Sequence, residues 1–565
     1  MKYIGSFFRM NSISPKEIES QLLYFTRESL NHIILDSKCG VPISQKMLKK
    51  TLSDSEYNKI KELNPIIAIY KKAKPNIYYS KHSKLWDESS FKKDILISSN
   101  ALMTLSLLKL STYYKSFKNI DDKLFSLSKT YLKIAKIQLD FYYEKLRNNE
   151  GFFIDKRNTS TSNTSFPDLI DIDQNFSFSD QAFMMCAYYS YSKATEDNKE
   201  CETFRSFALE ILEMFNARKD FLYDENIEEC SKICYAFNNM YSMSKNIKCK
   251  TLLLDMSDFI LSKYLDYGID EKDMSLATLT AVNLYQAYKN TGILTFKESF
   301  YDICKLFKSL YNDELSTFIK ASDKKDIKYY NIEIILYLVN LMLYNKSDAT
   351  ETELDDTICN FFKNSLINSD IITSFPTPPN LDCVERYKHF SNKSTDLLDD
   401  LMFSLPDITT PELSSLAPVY LKSTTYSKKK GCYSTSKMNF ESYNNMFINF
   451  LILDLFSDDY IKFIAPIPRA KNSNSKSDNR KNKSFRNSSN KSEVTINEPQ
   501  TIKEENRPEI IKKTTPSAES LQDILTVSAL PVDKPDNTVY SDKSNIIDVK
   551  ILKDDLSTIN YEEIE

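Results

Sequence analysis

Two kinds of helical segment alternate between Asp94 and Asn368, and they alternate in pairs. In one kind the apolar residues form a single stripe: Phe204, Phe207, Ala208, Ile211, Leu212 and Phe215 recur at i, i+3, i+4, i+7, i+8 and i+11. That spacing fits a helix with one face against a core and one face in water. In the other kind, such as Ala182–Tyr191, apolar and aromatic residues run almost all the way round. A helix of that sort must be buried on more than one side. The contrast returns downstream, where a broad apolar helix over Leu276–Tyr288 precedes a stripe at Phe296, Phe300, Ile303, Cys304, Phe307 and Leu310. An all-α architecture in which one member of each pair is buried on more than one side and the other keeps a wet face accounts for both kinds.

The spacing predicts pairs at Asp94–Lys115 with Asp121–Arg147, Asp180–Lys193 with Cys201–Ala217, and Glu229–Lys245 with Lys248–Tyr264. Two more are Lys272–Asn290 with Thr295–Asn312, and Asp326–Tyr344 with Glu351–Asn368. A sixth is expected from Phe440–Phe456 with Thr395–Phe403. A weak internal repeat supports the pairing. "YSYSKAT" carries Tyr189, Lys193 and Thr195 at the spacing at which "YQAYKNT" carries Tyr285, Lys289 and Thr291, and nine residues beyond each threonine stands a phenylalanine, Phe204 or Phe300. Such pairs bury their faces against neighbouring pairs. An open solenoid keeps a nearly constant period, but here the connections vary widely, and Gly151–Ser179 is far longer than a repeat turn. A closed ring of five to six helical hairpins, decorated at one end and with no strands through its middle third, is the expected architecture.

Around the ring, residues 1–90 read as an N-terminal helical segment that packs on it, with a first helix from Lys16 to about Leu35 behind Pro15. The ring itself spans 91–464 and includes an irregular excursion at 371–437. From 465 to 565 the composition turns polar, first basic, with eight Lys or Arg against one acid between Arg469 and Lys491, then acidic. So few apolar residues do not offset the entropy of ordering, so a disordered tail is expected, available to recruit a protein partner.

Several function classes are excluded by supply. The six glycines are too scattered for a phosphate-binding loop, and ten cysteines without a Cys-x-x-Cys give no zinc spacing. No cofactor and no metal are expected. Histidine occurs only at His32, His82 and His389, outside the helix pairs, which leaves a Ser-His-Asp or Cys-His site poorly supplied. A net charge of −4 gives no field for nucleic acid. The longest apolar runs, Ile332–Tyr344 and Met446–Phe456, fall short of the roughly 20 residues of a membrane span. With no apolar leader at the N-terminus and scattered cysteines read as reduced, a cytoplasmic protein is expected.

Carboxylates remain. "PDLIDIDQNFSFSD" places Asp168, Asp171, Asp173 and Asp180 directly ahead of the second broad helix, with Asp94 before the first. Asp180 is the leading candidate for a general acid or base and Asp173 for its partner, although capping free N–H groups is the ordinary role of an aspartate at a helix start. Phe176, Phe178 and Tyr189 are the candidate binding aromatics beside these carboxyls, with core packing the ordinary role of such residues.

The segments "NALMTLSLLKL", "DQAFMMCAYYSYSKAT" and "LTAVNLYQAYKNTGILTFKESFYDICKLF" resemble the helix-pair signature of the six-hairpin (α/α) toroids, which include glycoside hydrolases, unsaturated-uronyl hydrolases and relatives of N-acylglucosamine 2-epimerase. The likeness covers about Asp94 to Asn368. It implies a saccharide ligand handled by two carboxyls, one protonated and one ionised, held about 5–10 Å apart. The epimerase branch relies on a histidine pair, and none of the three histidines here falls within the resembling region. Two function classes follow: carbohydrate binding or processing through carboxylates, and a non-catalytic helical scaffold with a recruiting tail.

Overall fold

The structure is a computed structural model that describes residues 13–80, 83–160, 167–268, 274–320, 324–347, 353–379, 408–435 and 438–464. Its long helices are α1 (Pro15–Asn31), α2 (Ile97–Lys115), α3 (Asp122–Lys145), α4 (Phe178–Ala194), α5 (Asn198–Ala217) and α6 (Ile227–Ser244). They continue with α7 (Ile247–Tyr267), α8 (Ser275–Thr291), α9 (Leu294–Leu310), α10 (Asn331–Ser347), α11 (Glu353–Phe361) and α12 (Ser442–Ile464).

The even-numbered helices are the broad apolar ones, and they form a closed inner circle. α2 packs on α4, α4 on α6, α6 on α8, α8 on α10, α10 on α12, and α12 returns to α2. Each has an outer partner: α3, α5, α7, α9 and α11 in turn, with α1 against α12. The two patterns read from the sequence thus map onto two layers. α4 buries residues all round its circumference, whereas α9 buries only Phe296, Phe300, Ile303, Cys304 and Phe307. The repeat is mirrored only in part: Tyr285 packs on Phe300 at 5.2 Å, whereas the rings at Phe204 are those of Tyr188 and Tyr191, at 5.8 and 4.5 Å, rather than of Tyr189.

The sixth hairpin differs from expectation. Residues 395–403 lie outside the described residues, and the helix that packs against α12 is α1. α1 begins where Pro15 fits the first turn, and Ser14 and Glu17 close a capping box around it. It extends into a π-turn at His32–Asp36.

The middle third is not free of strands. Asp326–Tyr330, read as the start of a helix, is a strand that pairs with Ser423–Ser427, and Tyr311–Asn312 pairs with Thr317–Phe318. Alternating burial along Asp326–Tyr330, with Ile327 and Tyr329 inward, is the period-two signature that overrides the helical reading. These strands lie in connections and do not interrupt the circle. The excursion over 371–437 supplies Ser423–Ser427 and sends Phe375 onto Phe25 at 5.7 Å. The tail from 465 onward lies outside the described residues.

Side chains bridge the ring axis. Tyr235 of α6 reaches Phe447 and Phe450 of α12, its diametric opposite, at 5.4 and 6.2 Å. Nearer the C-terminal ends of the inner helices, Asp454 of α12 joins Lys109 of α2 at 2.8 Å and Gln286 of α8 at 2.9 Å. Trp86 plays no part in this plug. It is buried against Phe440 and donates its indole N–H to His32 at 2.8 Å. Burial and Lys84 push that imidazole down to about 3, so it stays neutral.

One ion pair is wholly buried. Lys320 meets Glu333 at 2.5 Å, with 3% and 0% of the two side chains exposed. Glu333 also accepts N–H groups from Met274 and Tyr330. Removing one member leaves an uncompensated buried charge, so Lys320→Met is expected to cost about 3–5 kcal/mol. Chemical denaturation checks this, and the double variant Lys320→Met with Glu333→Gln should recover a large part of the loss.

Candidate active site at the N-terminal mouth

An α-helix starts with four N–H groups that have no partner within the helix. In this ring the inner helices share one direction, and their N-termini gather at one mouth, where a side chain at the third position of one helix reaches the start of its neighbour. Asp180 of α4 accepts the Ser98 hydroxyl at the start of α2. Glu229 of α6 accepts the Ser179 N–H at 2.8 Å and the Ser177 and Ser179 hydroxyls at the start of α4. Glu333 of α10 does the same for Met274, which caps α8. Asn444 of α12 donates to Asn331 of α10 at 2.8 Å, and Ser442 to Ser99 of α2 at 3.0 Å. The mouth is therefore a circle of helix starts stitched by polar side chains, three of them carboxyls.

Asp180 stands apart from the other two. The start of α2 already has a carboxyl: Asp155, in the turn after α3, accepts the Ile97 N–H at 2.9 Å. Asp180 thus shares one helix start with a second acid and faces Glu229 as well. Burial, then the charge of Asp155, then that of Glu229, push its carboxyl up to about 8, against the opposing bonds from Ser98. Burial likewise raises Asp155. Asp180 is only partly buried and keeps some surface accessible to solvent, as does Tyr443 of α12. Burial pushes its phenol up to about 12, with Lys232 of α6 pulling the other way from 5.4 Å above the ring.

The arrangement offers a protonated carboxyl near neutral pH, a second carboxyl sharing the same helix start, and a phenol and an ammonium within the same field. That is the equipment of acid–base chemistry. Among the described residues no group of three or more His, Cys, Asp or Glu is placed to hold a metal ion.

The other residues singled out from the sequence take varied positions. Asp173 is exposed on the loop before α4, where its carboxylate accepts the Asn175 N–H at 3.1 Å. Phe176 stacks on Phe152 at 4.1 Å, with the Arg218 guanidinium 5.8 Å from its ring. Phe178 is buried and meets Phe176 edge-on at 5.2 Å. Tyr189 is buried eleven residues further along α4, roughly 16 Å from the mouth at a rise of 1.5 Å per residue. Asp94 pairs with Arg157 at 2.6 Å and Lys92 at 3.2 Å; burial raises its carboxyl, and the two cations outweigh that and hold it below the usual range. Of the residues that bear on Asp180, Asp155 and Glu229 escaped the sequence reading as site residues. Both were legible in part: Asp155 closes the "GFFID" turn, and Glu229 opens the third inner helix in the register in which Asp180 opens the second.

No protein-family model and no curated protein sequence matches this chain. Among solved structures it is similar to D-mannose isomerase, with 10% identity over 68% of this chain and 91% of that one and a TM-score of 0.39. It is similar to cellobiose 2-epimerase from Bacillus thermoamylovorans B4167, with 10% identity over 76% and 98% and a TM-score of 0.42. A third is the cellulase Cel9M of C. cellulolyticium in complex with cellobiose, with 11% identity over 79% and 98% and a TM-score of 0.40. The closed ring itself rests on the helix contacts described above.

A carboxyl whose value is higher in the folded than in the unfolded chain binds more protons when folded, so stability falls as pH rises from about 4 toward about 8. Asp180→Asn removes that loss. Its melting temperature should match wild type near pH 4 and exceed it at pH 8–9 by on the order of 5 °C, read by thermal unfolding across that range. A constant offset at all pH values would assign the effect to packing.

Proposed function

We propose that this chain binds and processes a saccharide at the N-terminal mouth of the ring, with Asp180 as general acid and Asp155 as the ionisable partner across the start of α2. The observation that carries this reading is the setting of Asp180, partly accessible to solvent, sharing the start of α2 with a second carboxyl, and with its own carboxyl pushed up to about 8. A glycosidic oxygen is a poor leaving group until it is protonated, and a carboxyl raised toward neutrality supplies that proton. Asp173 and Phe176, on the loop that leads into α4, are proposed to meet the substrate from the rim. Tyr443 and Lys232 supply hydroxyl and ammonium donors for sugar oxygens.

A second reading, a non-catalytic helical scaffold, is favoured by the plug of Tyr235, Phe447 and Phe450 and by the capping work that Glu229 and Glu333 perform. The tail, the segment expected to recruit a protein partner for such a scaffold, lies outside the described residues. No described helix is long and apolar enough to cross a membrane. Six described cysteines are free and buried, and a reducing, cytoplasmic setting is proposed on that basis.

A thermal-shift screen against monosaccharides, oligosaccharides and uronides, followed by a reducing-end assay on whatever binds, tests the proposal. Wild type should show a saturable shift and turnover, and Asp180→Asn should lower kcat about 100-fold or more while the shift persists. No shift across the panel, or turnover unchanged in Asp180→Asn, would leave the scaffold reading.

A further inference from the structure

The outer wall of the ring carries a concavity. Between α3 and α5 a groove of about 420 Å³ opens, with Tyr188 of inner helix α4 in its floor. Aromatic rings line it. Phe207 meets Tyr188 at 4.7 Å and Tyr143 at 5.1 Å, both edge to face. Acids stand on both sides, Asp140 and Glu144 from α3 and Glu210 from α5, and no lysine or arginine forms part of the lining. Lys136 engages Asp140 at 2.9 Å, whereas Glu144 and Glu210 have no cationic partner among the described residues. The same rings already accept a cation from this chain: the Arg147 guanidinium lies 4.4 Å above Tyr143 and 5.5 Å from Phe207.

We propose that this groove docks a lysine- or arginine-bearing segment of a partner protein. Its chemistry fits each part of such a side chain. Aromatic walls take the methylene stem and the face of the charged head. Glu144 and Glu210, exposed on opposite walls, meet the charge from either side. The groove's lining on α5 runs from Thr203 to Glu210, about two turns of helix, a length that suits a polypeptide better than a small free cation.

Fluorescence anisotropy on the intact chain with a labelled Arg/Lys-rich peptide tests this. Binding should be saturable, weaken as salt rises, and fall tenfold or more in Glu144→Gln/Glu210→Gln. Tyr143→Ala, which removes a half-exposed ring, should weaken it similarly, while Glu213→Gln, an acid of α5 paired with Lys248 outside the groove, should not. Wild-type affinity in the double variant would overturn the proposal. So would displacement of the peptide by spermidine at equal concentration, since the occupant would then be a free polyamine.

Discussion

The fold depends on how the free N–H groups at the start of each inner helix are satisfied. Those groups carry partial positive charge and lie where several helix starts converge, so each start needs an acceptor and the mouth needs negative charge. The chain meets both needs between helices. Asp180, Glu229 and Glu333 each leave their own first turn to serve the preceding inner helix. Every such bond also fixes the rotation of one inner helix relative to the next. Capping and ring geometry are thus one interaction: a helix that turned about its axis would withdraw its neighbour's cap.

The same device explains why one carboxyl of the three differs. Glu229 and Glu333 each meet several donors, and Glu333 has Lys320 beside it. Asp180 arrives at a helix start where Asp155 already holds the first N–H. Two acids at one start repel, and Asp180, the more deeply buried and without the lysine that Asp155 has in Lys71, is the one raised furthest.

Much of the architecture was legible because burial has a period. The full-round apolar character of Ala182–Tyr191 and the stripe from Phe204 to Phe215 state directly which helix is inside. Five hairpins follow from that contrast alone. The sixth did not, because α1 and α12 are separated by the whole ring and no local pattern says that they meet. Asp326–Tyr330 misled for a different reason: five residues ahead of a strongly apolar helix extend a helical reading unless the strand partner, Ser423–Ser427, is known. At the site, Asp180 was visible as an acid opening an inner helix. The identity of its neighbours was not, since Asp155 reaches it through tertiary structure and Asp173, only seven residues away, turns toward its own loop.

The hairpin made of α1 and α12 has a consequence for how the molecule is made. A ring whose clasp joins its first long helix to its last cannot close until the residues near 442 have been synthesised. Until then α2 lacks the neighbour that covers one flank, and α1 has no hairpin partner. The loop entropy of bringing those ends together is spent in a single late step. A nascent chain that ends before residue 442 leaves the flanks that α12 covers on α2 and α1 without their partner.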